Sequence, residues 1–256
     1  MRILHSVILG AALAITLQAG AARAEVKTQW IDYMQGDTAL QGYLAYDDSI
    51  AGKRPAVLLA HDRSGMSDVT LRDAQMFARL GYVVFAEDIY GKTVRPKTVP
   101  EMQEQSGLFN KDRPLMRARA QAGLDVLRQN PMVDPAKIAV IGYCFGGTVA
   151  VELIETGAPL ASTVSVHGSF RNFAPEGANN IKGRVLILQG AEDETAPLPE
   201  VNKLIADLRA AKVKWQLELY SGASHAFTDP KNAAEERADR EYKVTTARFL
   251  KETIGP

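Results

Sequence analysis

The sequence predicts an α/β domain: a mainly parallel sheet with helices on both faces and an antiparallel hairpin at its N-terminal side. Three observations lead there. Short strand-like runs at 56–60, 82–86, 138–141, 162–166, 184–188 and 214–220 alternate with segments of helical periodicity. Most of these runs are apolar throughout, as strands covered on both faces are. One of them, 138–141, ends in Gly142-Tyr143-Cys144-Phe145-Gly146-Gly147, the pattern of a strand, a sharp turn and the start of a helix.

Taken in order, the chain starts with Arg2, an apolar run over 7–17 and Ala22-Arg23-Ala24, which reads as a cleaved signal peptide over 1–24. The apolar run is short for a spanning helix of about 20 residues, so no stable membrane anchor is expected after cleavage. Export to the periplasm or beyond is expected, with 25–256 as one α/β domain. Residues 29–33 and 40–46 alternate apolar and polar side chains around Gln35-Gly36-Asp37 and predict the hairpin. After the 56–60 run comes His61-Asp62-Arg63-Ser64-Gly65, then a helix over 68–80 closed by Gly81. Residues 88–111, interrupted by Gly91, Pro96, Pro100 and Gly107, read as a loop over the site with at most a helical turn near 101–105. A helix starting at Arg113 or Pro114 and ending at Arg128 returns the chain to the central strand. Helices over 148–155, 199–211 and 233–253 complete the alternation.

Composition narrows the function. Removing 1–24 takes Arg2 and Arg23 away, and the net formal charge of zero becomes −2, with nothing to attract nucleic acid. The single cysteine, Cys144, cannot form an internal disulfide, so an exported chain that keeps it either hides the thiol or uses it. A buried core cysteine is the plain alternative. In the G-x-C-x-G turn, however, small residues on both sides let the chain pass closely and push the thiol out at a helix N-terminus, where the macrodipole favours a thiolate. Two further strand ends carry an acid and a base: 186–189 runs into Glu192-Asp193-Glu194, and 217–220 runs into Ser224-His225. The order Cys144, Asp193, His225 is that of a nucleophile, an orienting acid and a base, each on a loop after a strand. The N–H groups of Phe145 and Arg63 are the candidate oxyanion donors.

These residues resemble the dienelactone hydrolase family of α/β-hydrolases. The resemblance rests on the cysteine turn, on Gly190-Ala191-Glu192-Asp193, on Ser224-His225-Ala226-Phe227 and on Asp88-Ile89-Tyr90-Gly91. It implies the α/β-hydrolase fold and hydrolysis of a small carboxylic ester or enol-lactone through a thioester on Cys144, with no metal and no organic cofactor. It also implies an acidic residue after the 56–60 strand that activates the cysteine, for which Asp62 stands in place of the family's glutamate. Arginines that clamp a substrate carboxylate are expected as well. Here Asp229 stands four residues beyond His225, and Lys92 and Arg95 are the remaining cationic candidates, with Tyr90 and Phe227 as substrate contacts. Two other readings stay open: an exported thiol protein that reacts with peroxide, and a ligand-binding protein on the same scaffold. The oligomeric state is not legible in the sequence.

Overall fold

The structure, a computed structural model, describes residues 25–171 and 175–255; the expected signal peptide lies outside the described residues. Eight strands form one sheet: β1 (Val26–Gln35), β2 (Thr38–Asp47), β3 (Arg54–Ala60), β4 (Val83–Glu87), β5 (Val133–Tyr143), β6 (Ser162–Val166), β7 (Arg184–Gly190) and β8 (Trp215–Tyr220). Their order is β1-β2-β4-β3-β5-β6-β7-β8. β1 pairs antiparallel with β2, β2 pairs antiparallel with β4, and every later pairing is parallel. The sequence expectation of an N-terminal hairpin on a parallel sheet therefore holds, and β5, which carries the cysteine turn, lies well inside the sheet.

Strand alternation sorts the core into two layers. Leu58, Phe85, Val140 and Ile187 point to one face with α2 (Val99–Lys111), α3 (Arg113–Gln129), α4 (Phe145–Glu155) and α5 (Leu198–Ala210). Leu59, Val84, Ile141 and Leu188 point to the other, under α1 (Asp68–Arg79) and α6 (Ala233–Thr253). A strand has two faces and side-chain period two, so an apolar run is what a sheet covered on both sides requires. Among the described residues no helix is long and apolar enough to cross a membrane.

One expectation for the fold is corrected. Residues 99–111, read as loop, form the 13-residue helix α2. Thr98 caps it: its side chain accepts from Glu101 N–H while the Glu101 carboxylate accepts from Thr98 N–H, a reciprocal capping box, and a proline sits in the first turn. The helix buries only Phe109, so it shows almost no apolar stripe, and Pro100 and Gly107 looked like breaks. Pro100 is in the one turn that tolerates proline.

Candidate active site

β5 ends at Tyr143 and α4 begins at Phe145, so Cys144 alone makes the turn between strand and helix. Its backbone sits at φ 53° and ψ −115°, a conformation that a side chain disfavours. The two flanking glycines explain how the turn closes: a Cβ at Gly142 would overlap the Gly146 carbonyl, and one at Gly146 would overlap the Ala60 carbonyl. His167, after β6, and Ala226, beside His225, also have positive φ. Of the four non-glycine residues with positive φ among the described residues, these three line one cavity. Strain that gathers around one cavity points to a site rather than to a defect of folding.

The loops after β7 and β8 bring the other two groups in. Asp193 is buried, and its Oδ1 accepts the N–H groups of Thr195 and Ala196 at 2.9 and 2.8 Å. Its Oδ2 accepts from Gln189 Nε2 at 2.8 Å and from His225 Nδ1 at 2.9 Å. Burial works against the charge of Asp193, but these hydrogen bonds outweigh it and hold the carboxyl below its usual range. His225 Nε2 lies 3.1 Å from Cys144 Sγ. Burial disfavours an imidazolium there as well, yet the bonds to Asp193 and Cys144 lift His225 to about 9. The loop itself is tied down, since Ser224 Oγ donates to Glu235 Oε1 at 2.5 Å and Asn232 caps α6.

His167, which the sequence analysis passed over, is the second histidine of the site. Cys144 N–H donates to its Nδ1 at 3.1 Å as well as to the Val166 carbonyl at 3.0 Å. The neutral ring therefore carries its proton on Nε2, which donates to Thr228 Oγ1 at 3.1 Å. Burial, and behind it the neighbouring His225 cation, push His167 down to about 3. Its position directly after the 162–166 strand was the available signal.

A cavity of about 630 Å3 opens over Cys144 and is lined by His61, Asp62, Arg63, His167, His225 and residues of α1 and α6, among others. Phe145 is the first residue of α4, so its N–H has no acceptor within the helix. Arg63 reaches the same cavity. Other expected contacts do not. Lys92 lies at the sheet edge, paired with Asp32 Oδ2 at 2.5 Å. Arg95 folds back on the Gly91 carbonyl at 2.7 Å and the Asp88 carboxylate at 3.3 Å. Tyr90 is buried against His61, Phe109 and Phe145, and its hydroxyl donates to the Arg63 carbonyl at 3.1 Å, so it supports the Arg63 loop from behind. Phe227 is wholly buried between His167, Tyr220 and Tyr242. Asp62 lines the cavity, but its Oδ1 accepts the Ser64 N–H at 2.8 Å and the Ser64 hydroxyl. The partner of the Cys144 sulfur is His225. Each departure has a local cause: a nearer counter-charge or hydroxyl captures a flexible polar side chain, and an aromatic ring fills the core.

Known proteins share this arrangement of chain. The dienelactone hydrolase family matches residues 40–254. A carboxymethylenebutenolidase homolog of Mus musculus is 27% identical over 219 residues, covering 84% of this chain and 87% of its own. A carboxymethylenebutenolidase homolog of Homo sapiens is 31% identical over 120 residues, 46% of this chain and 48% of that one. The crystal structure of a dienelactone hydrolase-like promiscuous phosphotriesterase from metagenomic libraries superposes with a TM-score of 0.85 at 30% identity, covering 91% of this chain and 100% of the other. With the sheet order, the cysteine turn and a family match that runs from β2 to the end of α6, the chain belongs to the dienelactone hydrolase family and is an ester- and lactone-cleaving hydrolase of the α/β-hydrolase fold.

Proposed function

We propose that the chain hydrolyses a small carboxylic ester or lactone through a thioester on Cys144, with His225 as base and then acid and Asp193 as the group that orients it. The observation that carries this reading is the continuous hydrogen-bonded line from Asp193 Oδ2 through His225 to Cys144 Sγ, at 2.9 and 3.1 Å, opening into the cavity. Asp193 is an acceptor toward Nδ1, so that nitrogen holds a proton and Nε2 faces the sulfur.

In the first half of the reaction Sγ bonds to the substrate carbonyl carbon and the carbonyl electron pair moves onto oxygen. The N–H groups of Phe145 and Arg63 receive that oxyanion. As the tetrahedral species collapses, the carbon–oxygen bond to the alcohol breaks and the Nε2 proton of His225 goes to the departing alkoxide. In the second half His225 takes a proton from water, the hydroxide adds to the thioester carbonyl, and the acid leaves with the thiolate–imidazolium pair restored. No outside oxidant or reductant is required.

The test is turnover of small esters and lactones by residues 25–256, followed by rapid acid quench and intact-mass measurement. An adduct equal in mass to the acyl group, mapped to Cys144 and absent with the alcohol alone, is the expected outcome. Cys144→Ala should lose both adduct and turnover, and His225→Ala should slow turnover by at least about 10². Turnover that survives in Cys144→Ala would sink the reading.

A further inference from the structure

Beyond Cys144 the cavity continues as an arm between α1 and the N-terminal half of α6, and its charges are sorted by depth. Asp73 and Asp239 line the interior half-buried, their side chains 19% and 15% exposed, whereas the basic residues Arg72 and Lys243 lie at the rim, at 71% and 47%. Asp229 adds another exposed carboxylate at the mouth.

The wall also holds polar atoms that lack a good partner. Tyr143, only 7% exposed, lines the arm with a buried hydroxyl that makes no hydrogen bond of ordinary geometry, and its ring meets Tyr242 edge-on with centroids 6.3 Å apart. Asp239 Oδ1 is buried and unpaired as well, while Oδ2 holds Lys243 Nζ at 2.7 Å. Asp73 meets Arg72 Nε at 3.6 Å, beyond hydrogen-bond distance. Lys243 Nζ, for its part, stands 5.7 Å from the centre of the Tyr242 ring. An ammonium against an aromatic face and beside a carboxylate is thus already an arrangement of this arm, made by a flexible side chain of the enzyme's own.

We propose that the arm receives an ammonium group of the substrate, so that the enzyme prefers esters bearing a positive charge to neutral or carboxylated ones. The proposal rests on the reading of Cys144 as the nucleophile, because that assigns the adjoining space to substrate. An incoming ammonium would take the place of Lys243, whose exposed chain can swing into solvent, and would lie between Asp73, Asp239 and the two tyrosine rings. Burial pushes Asp73 up to about 6, and a cation arriving beside it offsets that burial. A carboxylate would instead meet Asp73 and Asp239 inside the arm, with Arg63, Arg72 and Lys243 held out at the exposed rim.

Two ester series test this. In the first, choline butyrate is compared with 3,3-dimethylbutyl butyrate, which replaces the ammonium nitrogen by carbon. In the second, phenyl 4-(trimethylammonio)butyrate is compared with phenyl 5,5-dimethylhexanoate and with monophenyl glutarate. The expected result is a kcat/KM at least about ten-fold higher for the ammonium ester than for its neutral partner in one series. The ratio should fall toward one in Asp73→Asn and, on the opposite helix, in Asp239→Asn. It should rise in Lys243→Ala, where the resident cation is gone. Calorimetric titration of choline into Cys144→Ala separates the two readings. Choline that binds there, and more weakly once Asp73→Asn is added, supports the arm even if no ester is turned over. A ratio at or below one in both series, with neutral esters hydrolysed through Cys144, would overturn the arm and leave the thioester reading standing. Neither turnover nor choline binding would overturn both.

Discussion

His225 keeps a proton at neutral pH because two neighbours outweigh the burial that opposes it, and His167, 5.1 Å away between ring centroids, gives its proton up because burial and then the His225 cation outweigh the pull of Asp193. Their contributions to stability therefore run in opposite directions. His225, raised from 6.5 to about 9, contributes stability that is fully present below pH 6.5 and is lost as pH climbs through 9. His167, lowered to about 3, contributes stability that is present above 6.5 and is lost as pH falls toward 3. We expect the two imidazoles to titrate near these separate values in NMR spectra, and the denaturation midpoint to peak between them. Asp193→Asn should bring the His225 titration down, because a neutral amide removes the carboxylate that holds the imidazolium. An unchanged midpoint for His225 in that variant would disprove the assigned cause. Among single residues, the meeting of Cys144, Asp193 and His225 was legible in the sequence, since each stands on the loop that follows a strand run. Lys92 and Arg95 misled because the sequence displays their charge but not the nearby Asp32 and Asp88 that capture it.

The elements that were legible are those whose environment is two-sided and uniform. β3, β4 and β7 read as strands because both faces are covered and nearly every position is apolar. α6, expected over 233–253, has those bounds in the structure. α2 was illegible for the converse reason: it lies on the surface with one buried residue, and capping rather than periodicity defines it. Its stability should follow from local terms alone. Thr98→Ala should cost about 1 kcal/mol by removing the cap. Gly107→Ala should add about 0.5–1 kcal/mol, since open space surrounds the site of the new methyl group and alanine is the better helix former. Neither should alter kcat/KM, because α2 does not line the cavity. Urea denaturation together with a steady-state assay checks both, and a change in kcat/KM would mean that α2 moves with the site.

On the scale of the whole molecule, the polar groups around the cavity collect because a parallel sheet delivers all its strand ends to one edge: Asp62 after β3, Cys144 after β5, His167 after β6, Asp193 after β7 and His225 after β8. The arm could not be read the same way. Asp73 and Asp239 come from the first and last helices of the chain, whose meeting depends on both packing over the same sheet face. The isolation of the sulfur has a practical consequence. Cys144 is the only cysteine in the chain, so the fast, thiol-directed reaction of a haloacetamide consumes one equivalent per molecule. Such a reagent is a titrant: the fraction of a preparation that takes it up rapidly counts competent sites without any substrate in hand. We expect uptake to be rapid in the folded protein, to slow markedly in His225→Ala, and to fall to the rate of a free thiol once the chain is unfolded. Equal rates in the folded and unfolded chain would mean that the fold does nothing for the sulfur. A cationic haloacetamide would moreover carry its charge toward Asp73 and Asp239, turning a label for Cys144 into a ruler for the space beside it.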